Sequence, residues 1–335
     1  MTSLIAPVGL LLGSAVVIYL SCEVFVNGVE WVGRKLAVGQ QATGTILAAF
    51  GTALPESVVT FVAVAFGATA AQKALGVGAA LGGPLVLSTI AYGVVGITLL
   101  LTRTQLAKTA QVRSDFARLA RDQGWFLAIF LVKIGLGLVA FAYKPWLGLL
   151  FLAAYVAYFI VEMRGGSEDD AEEDLEPLKF ASKHAEPPTW MALAQTAVAL
   201  IAIFFASRVF VSQLDALGHA LHVRSQLMAL LLSPVATELP ETMNAIIWVR
   251  QGKHKLALAN ISGAMMIQAT VPTALGLFYT PWRLDAPLVI AAAVTMAAVI
   301  TMFIAFRRGI ISRTFLASMS ALYLIFIFLL VTVRQ

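Results

Sequence analysis

Apolar runs of about twenty residues recur along almost the whole chain, and they decide what it can become. Ten are marked, over residues 7–26, 42–66, 74–101, 125–142, 146–162, 190–211, 226–248, 256–278, 286–305 and 314–333. At about 1.5 Å per helical residue, each can cross a hydrocarbon core of roughly 30 Å. Of the 335 residues, 60% are hydrophobic and only 12% charged, which no soluble domain of this length shows. The expected class is an all-α membrane protein, multi-pass in the cell (inner) membrane, with the lipid bilayer as its constant partner. A net charge of +5 fits basic loops facing the headgroups, and nucleic acid is not an expected partner. The single cysteine, Cys22, excludes an internal disulfide and a cysteine metal cluster. No basic residue precedes the first apolar run, so that run is expected to be a retained span and not a signal peptide.

The basic residues set the expected orientation. With the N-terminus outside, the inward connections hold Arg34 and Lys35, the group Arg103 to Arg121, then Arg164, Lys179 and Lys183, then Arg250, Lys253 and Lys255, then Arg307, Arg308 and Arg313. The outward side holds Lys73, Lys144, Arg224, Arg283 and Arg334, while Lys133 and Arg208 fall in or at the edge of spans. This inequality favours N-out, C-out. Two segments are hydrophilic. Residues 103–124 read as a basic cytoplasmic helix lying near anionic headgroups. Residues 164–188 are strongly acidic, with Glu168, Asp169, Asp170, Glu172, Glu173, Asp174 and Glu176. They read either as a solvated linker or as a regulatory cation-binding segment.

Two apolar runs carry the same interruption. Gly51-Thr52-Ala53-Leu54-Pro55-Glu56 is matched by Ala236-Thr237-Glu238-Leu239-Pro240-Glu241, 185 positions later. At the same offset Val24-Phe25-Val26 meets Val209-Phe210-Val211, Glu30 meets Asp215, and Gly33 meets Gly218. The chain is therefore expected to be duplicated: a first five-helix repeat over 1–163, an acidic cytoplasmic linker over 164–189 and a second five-helix repeat over 190–335. An odd number of spans per repeat makes the two copies enter the membrane from opposite sides, so ten transmembrane helices form two inverted five-helix repeats. That is an architecture of secondary transporters with a mid-membrane site.

Each interruption places a carboxylate beside a proline. A buried carboxylate in hydrocarbon needs a partner, a proton or a water-filled cavity. A proline inside a helix cannot donate to the carbonyl four residues back, which here frees Gly51 and Ala236. Carboxylates beside free carbonyls make cation-coordinating chemistry, and calcium takes six to eight such oxygens. Glu238 and Glu241 share a helix face if the helix runs unbroken through Pro240. With Glu56 opposite, these carboxylates repel unless a cation or proton is bound, so protonated and cation-loaded states exclude one another.

With these motifs the chain resembles the calcium/cation antiporter superfamily, the membrane domain of sodium/calcium exchangers, as a divergent member. That family carries Gly/Ala-Thr-Ser-Leu-Pro-Glu in one span of each repeat and Gly-Asn-x-x-Gly-Ser-Asn in the next. Gly51–Glu56 and Ala236–Glu241 match the first motif, residues 256–263 match the start of the second, and residues 75–82 match it faintly. The resemblance implies Glu56 and Glu241 as central cation ligands, further oxygens from Thr52 and Thr237, and carbonyl ligands at Ala49 and Pro234. The family's serine before Leu-Pro-Glu is replaced by Ala53 and Glu238, its Gly-Ser serine by Gly83 and Ala264, and its closing Asn/Asp by Leu87 and Gln268. These departures remove side-chain oxygens used for sodium and add a carboxylate, which favours one divalent site or a proton-coupled site over four ion sites.

The expected function is secondary antiport of Ca2+, or a similar divalent cation, against Na+ or H+. The alternative is a transport-inactive or differently selective cation-binding protein with the same fold. The metal cations are cargo and partner in one, and no cofactor is expected. An enzyme is not expected, because no span holds a His pair, a Cys–His pair or a Gly-x-Ser-x-Gly elbow. Structural roles stay open for several of these residues. Lys133 could neutralise Glu56 or Glu238, Thr52 and Thr237 could back-bond to their own helices, and Gln268 could join two helices rather than bind an ion. Asn244 is a candidate neighbour of the site, and Asn260 and Ser262 could pack or cap. Glu30 and Asp215 are expected in solvent, and His184, His219, His222 and His254 in connections.

Overall fold

The computed structural model describes residues 4–35, 47–103, 110–164, 176–182 and 186–333. Among them every regular element is helical. In chain order the α-helices are α1 (Ile5–Lys35), α2 (Leu47–Phe66), α3 (Ala70–Val86), α4 (Tyr92–Leu101), α5 (Ala110–Leu138), α6 (Gly148–Arg164), α7 (Thr189–Ala220), α8 (Ser225–Thr237), α9 (Leu239–Arg250), α10 (His254–Tyr279), α11 (Ala286–Arg308), α12 (Arg313–Ser318) and α13 (Ser320–Val333). A π-helical turn over Leu87–Ala91 joins α3 to α4 without a break in the rod.

Seven helical segments of the described residues are long and apolar enough to cross a membrane: Ile5–Lys35, Ala70–Leu101, Lys144–Val161, Thr189–Ala220, His254–Tyr279, Ala286–Arg308 and Arg313–Thr332. The chain is thus a multi-pass membrane protein. The other three expected spans take different forms. Residues 42–46 lie outside the described residues, and 47–66 form α2. The run 125–142 is the second half of the longer α5, which stops at Leu138. The run 226–248 is divided between α8 and α9.

Helix pairing follows the sequence duplication. Helix α1 packs along α7, its counterpart at the 185-residue offset, and α5 packs on α11. α2 packs on α10 while α3 packs on α8, two contacts that the 185-residue offset maps onto each other. Close approach depends on glycine. A Cβ on Gly78 would stand 2.1 Å from the Gln226 carbonyl oxygen, and one on Gly82 would stand 2.6 Å from that of Leu230. Leu230 lies four residues before Pro234, so its carbonyl lacks the usual helical donor. Small residues at such crossings are what permit helix association in lipid, where apolar burial gives little preference between neighbours.

Several expectations are corrected. The basic stretch 103–124 is not a separate surface helix: its second half continues into α5, and Phe116, Leu119, Asp122 and Gln123 are buried. Gln123 donates to the Tyr92 hydroxyl and to Ser262, at 3.0 and 2.9 Å, so Ser262 serves an interhelical network. Asp215 is not in solvent. It is buried, accepting from Ser225 at 2.8 Å and from Gln72 at 3.3 Å, because α7 continues past the expected edge of the span. Glu30 lies inside α1 and is half-buried for the same reason. His219 and His254 belong to helix ends, in α7 and α10, rather than to connections, whereas His222 lies in the turn after α7; His184 lies outside the described residues. Lys144, assigned to the outward side, is buried and donates to the carbonyls of Val139, Pro281 and Trp282 at 2.7 to 3.0 Å.

Most of the acidic linker lies outside the described residues. Its end is docked: Trp31 and Asn27 of α1 donate to the Glu176 carbonyl, and Gln195 of α7 accepts from the Phe180 amide at 2.8 Å. Gln195 also donates to Asn27 at 2.9 Å, so segment 176–182 fastens α1 to α7.

Candidate cation site

Pro55 lies inside α2, which stays helical through it. The matching motif 185 residues later behaves differently. Pro234 sits in α8 and Pro240 at the start of α9, and the helix breaks between them at Glu238, with φ −97° and ψ 0°. Two prolines six positions apart remove two amide donors from one short stretch, and the chain resolves this by ending one helix and starting another. Glu238 and Glu241 are therefore not on one continuous helix face, contrary to the unbroken-helix condition. Glu238 occupies the position where the first repeat has Ala53.

Around this break the polar side chains are closed off from solvent: Glu56, Thr237, Glu238, Glu241, Gln268 and Lys133 are all buried. Thr237 donates to Glu56 Oε2 at 2.6 Å and lies 3.2 Å from Glu238 Oε1 and 3.1 Å from the Ser233 carbonyl. One hydroxyl proton thus faces three acceptors, so at most one carboxylate receives it at a time. Gln268 Nε2 is 2.8 Å from both oxygens of Glu238. Thr60, one turn along α2, stands 3.5 Å from Glu56 Oε1. Gly83 of α3 closes the remaining side: a Cβ there would come within 2.6 Å of Gln268 Oε1 and 2.9 Å of Glu238 Oε1.

The expected ligands fall as follows. Glu56, Thr237, Glu238 and Gln268 are brought into one hydrogen-bonded chain across α2, the α8–α9 break and α10. Glu241 is buried in the first turn of α9, within electrostatic reach of Cys22 of α1. The Pro234 carbonyl accepts from the Glu238 amide at 2.9 Å, the last regular helical bond of α8. Ala49 and Thr52 belong to α2, and their side chains lie outside the described residues. Among the described residues no group of three His, Cys, Asp or Glu side chains is gathered tightly enough to hold a metal ion. Here Glu56 and Glu238 accept from neutral donors, Thr237 and Gln268, and a cation would have to displace those hydrogen bonds.

The sequence offers Lys133 as a counter-charge to Glu56 or Glu238. It reaches in from α5 and donates to the carbonyls of Ala80, at 2.7 Å, and Gln268, at 3.3 Å. Its ammonium lies over the rings of Phe130 and Trp282, at 5.3 and 5.9 Å. Its charge and that of Glu56 act on each other.

Comparison with known proteins agrees with this architecture. The profile of the sodium/calcium exchanger protein family matches residues 6–163 and 191–333. The inner membrane protein YrbG of Escherichia coli (strain K12) is 27% identical over 286 residues, covering 84% of this chain and 82% of that protein. The H+/Ca2+ exchanger CAX shares the fold with a TM-score of 0.73 at 17% identity, covering 97% of this chain and 82% of that one. The sodium–calcium exchanger NCX_Mj superposes with a TM-score of 0.61 at 18% identity, covering 97% of this chain and 99% of that one.

Proposed function

Because the chain belongs to the sodium/calcium exchanger protein family, we propose that it is a secondary active antiporter that exchanges Ca2+, or a similar divalent cation, for Na+ or H+ across the cell's inner membrane. The observation that carries this is the meeting of Glu56 and Glu238, from the two repeats, on the hydroxyl of Thr237. Carboxylates from separate helices, sealed from water and bridged by one weak donor, form a place where a cation is bound better than it is left empty. An arriving divalent ion takes over the Glu56 and Glu238 oxygens that now accept from Thr237 and Gln268, whose own oxygens turn to it as ligands, with Glu241, Thr52 and the Ala49 and Pro234 carbonyls as further donors. Protons or sodium compete for the same carboxylates, and that competition couples the two fluxes.

The proposal includes the ten-span arrangement, N-out and C-out, as two inverted five-helix repeats over 1–163 and 190–335 joined by the linker 164–189. The exchange-symmetric contacts of α2 with α10 and α3 with α8 support it. Switching of access would be movement of α1 and α7, which pack on each other, against the remaining helices.

The test is uptake of radioactive calcium into proteoliposomes under an imposed sodium or proton gradient, with manganese, magnesium and potassium as competitors. Gradient-dependent calcium uptake supports antiport. Folded protein with no flux under either gradient would leave a cation-binding protein without transport.

A further inference from the structure

The ammonium of Lys133 has an unusual pair of acceptors. Ala80 lies four residues before Pro84 in α3, and Gln268 lies four residues before Pro272 in α10. In a regular helix each carbonyl accepts from the amide four positions on, and a proline has none to give. The two carbonyls that Lys133 binds, at 2.7 and 3.3 Å, are thus two that the prolines leave without that donor. They come from the helices that carry the second motif of each repeat. Beside them lie the Phe130 and Trp282 rings, whose faces attract cations. The indole Nε1 of Trp282 donates to the Lys133 carbonyl at 3.2 Å, which fixes the ring against this helix.

Freed carbonyls of broken or proline-bearing helices near a buried carboxylate are the ligand set that membrane transporters offer to monovalent cations. Here that position is filled by a side chain. We propose that Lys133 is a tethered cation: its ammonium occupies a monovalent-cation position between α3, α5 and α10, and removing it turns that position into a binding site for a free monovalent ion.

Charge balance gives the position a consequence. Glu56, Glu238 and Glu241 are each buried and together carry at most three negative charges. One divalent cation and the Lys133 ammonium neutralise them without any further ion, and a net charge left inside the membrane is costly. With the ammonium absent, a monovalent ion has to enter with the divalent one. This deepens the antiport reading, and the transport consequence rests on it. The occupancy of the position does not, because it is read from melting rather than flux.

The experiment compares full-length wild type, Lys133→Ala and Lys133→Met in detergent, by thermal unfolding in sodium, potassium, methylammonium or choline chloride at equal ionic strength. Lys133→Ala opens the space and should melt lower than wild type in choline. At least one of the small cations should raise its midpoint by about 4 °C or more beyond any rise in wild type. Lys133→Met fills the space without charge and should gain no such extra rise. Equal responses of the alanine variant and wild type would overturn the proposal. If Lys133→Ala does not fold, Lys133→Ser, which adds one oxygen ligand, takes its place with the same criterion. Failure of both to fold in any of the salts would mean that no free ion can stand in for the ammonium, and the proposal falls. In reconstituted protein, calcium uptake by the folding variant should require the monovalent ion that stabilises it. Loss of that requirement with the melting response intact would remove the charge-balance consequence alone.

Discussion

Thr237 of α8 donates its hydroxyl to the Glu56 carboxylate of α2 at 2.6 Å, joining the two copies of the repeated motif through one proton. The same hydroxyl oxygen is a proposed ligand of the incoming cation, and a polar contact to a charged group is worth about 1.5–3 kcal/mol, tenfold or more in an equilibrium. Thr237→Val keeps the shape and removes the hydroxyl. Initial rates of calcium uptake should fall roughly tenfold or more, with Thr237→Ser recovering most of the rate. Equal rates in the valine variant would show that the hydroxyl has no part in loading.

Gly83 is where the site is tightest. Its hypothetical Cβ would stand 2.6 Å from Gln268 Oε1 and 2.9 Å from Glu238 Oε1. Gly83→Ala should push Gln268 off Glu238, lowering stability by about 1–3 kcal/mol and weakening calcium binding. Melting in detergent and a calcium titration check the two effects separately.

The α3–α8 contact is less forgiving because backbone meets backbone. A Cβ at Gly78 would reach within 2.1 Å of the Gln226 carbonyl oxygen, so no side-chain rotation can relieve it. Gly78→Ala should therefore lose more thermal stability than Gly83→Ala, by melting midpoint in the same detergent. A milder effect would show that these helices can slide apart.

Segment 176–182 offers a test remote from the site. Gln195 ties Phe180, Val24 and Asn27 together through bonds of 2.8 to 2.9 Å. Gln195→Leu orphans these partners and should cost about 1–3 kcal/mol of stability. It should also speed proteolysis between the repeats, measured by limited digestion. An unchanged cleavage rate would mean the docking does not hold the linker.

Much of this is legible in the sequence. The apolar runs and the paired Pro-Glu motif follow from local chemistry: each run has to be buried in something, and each proline has to leave a carbonyl free. What was not legible depends on neighbours. The break at Glu238 arises because Pro234 and Pro240 act together, a spacing visible in the sequence but read there as a single span. The partners of Lys133 could have been sought among the carbonyls freed by Pro84 and Pro272, but only packing brings α3, α5 and α10 to one point. Asp215 looked like a loop residue because its burial depends on Gln72 and Ser225 on other elements. The basic residues of α5 hid an inward face that includes Phe116 and Gln123.

The central claim is that Glu56 carries the transported ion, and equilibrium binding of radioactive calcium to purified wild type and Glu56→Gln tests it most directly. Wild type should bind calcium saturably, and Glu56→Gln should lose that binding while melting cooperatively in the absence of calcium. Undiminished calcium binding by a folded Glu56→Gln protein would contradict the account.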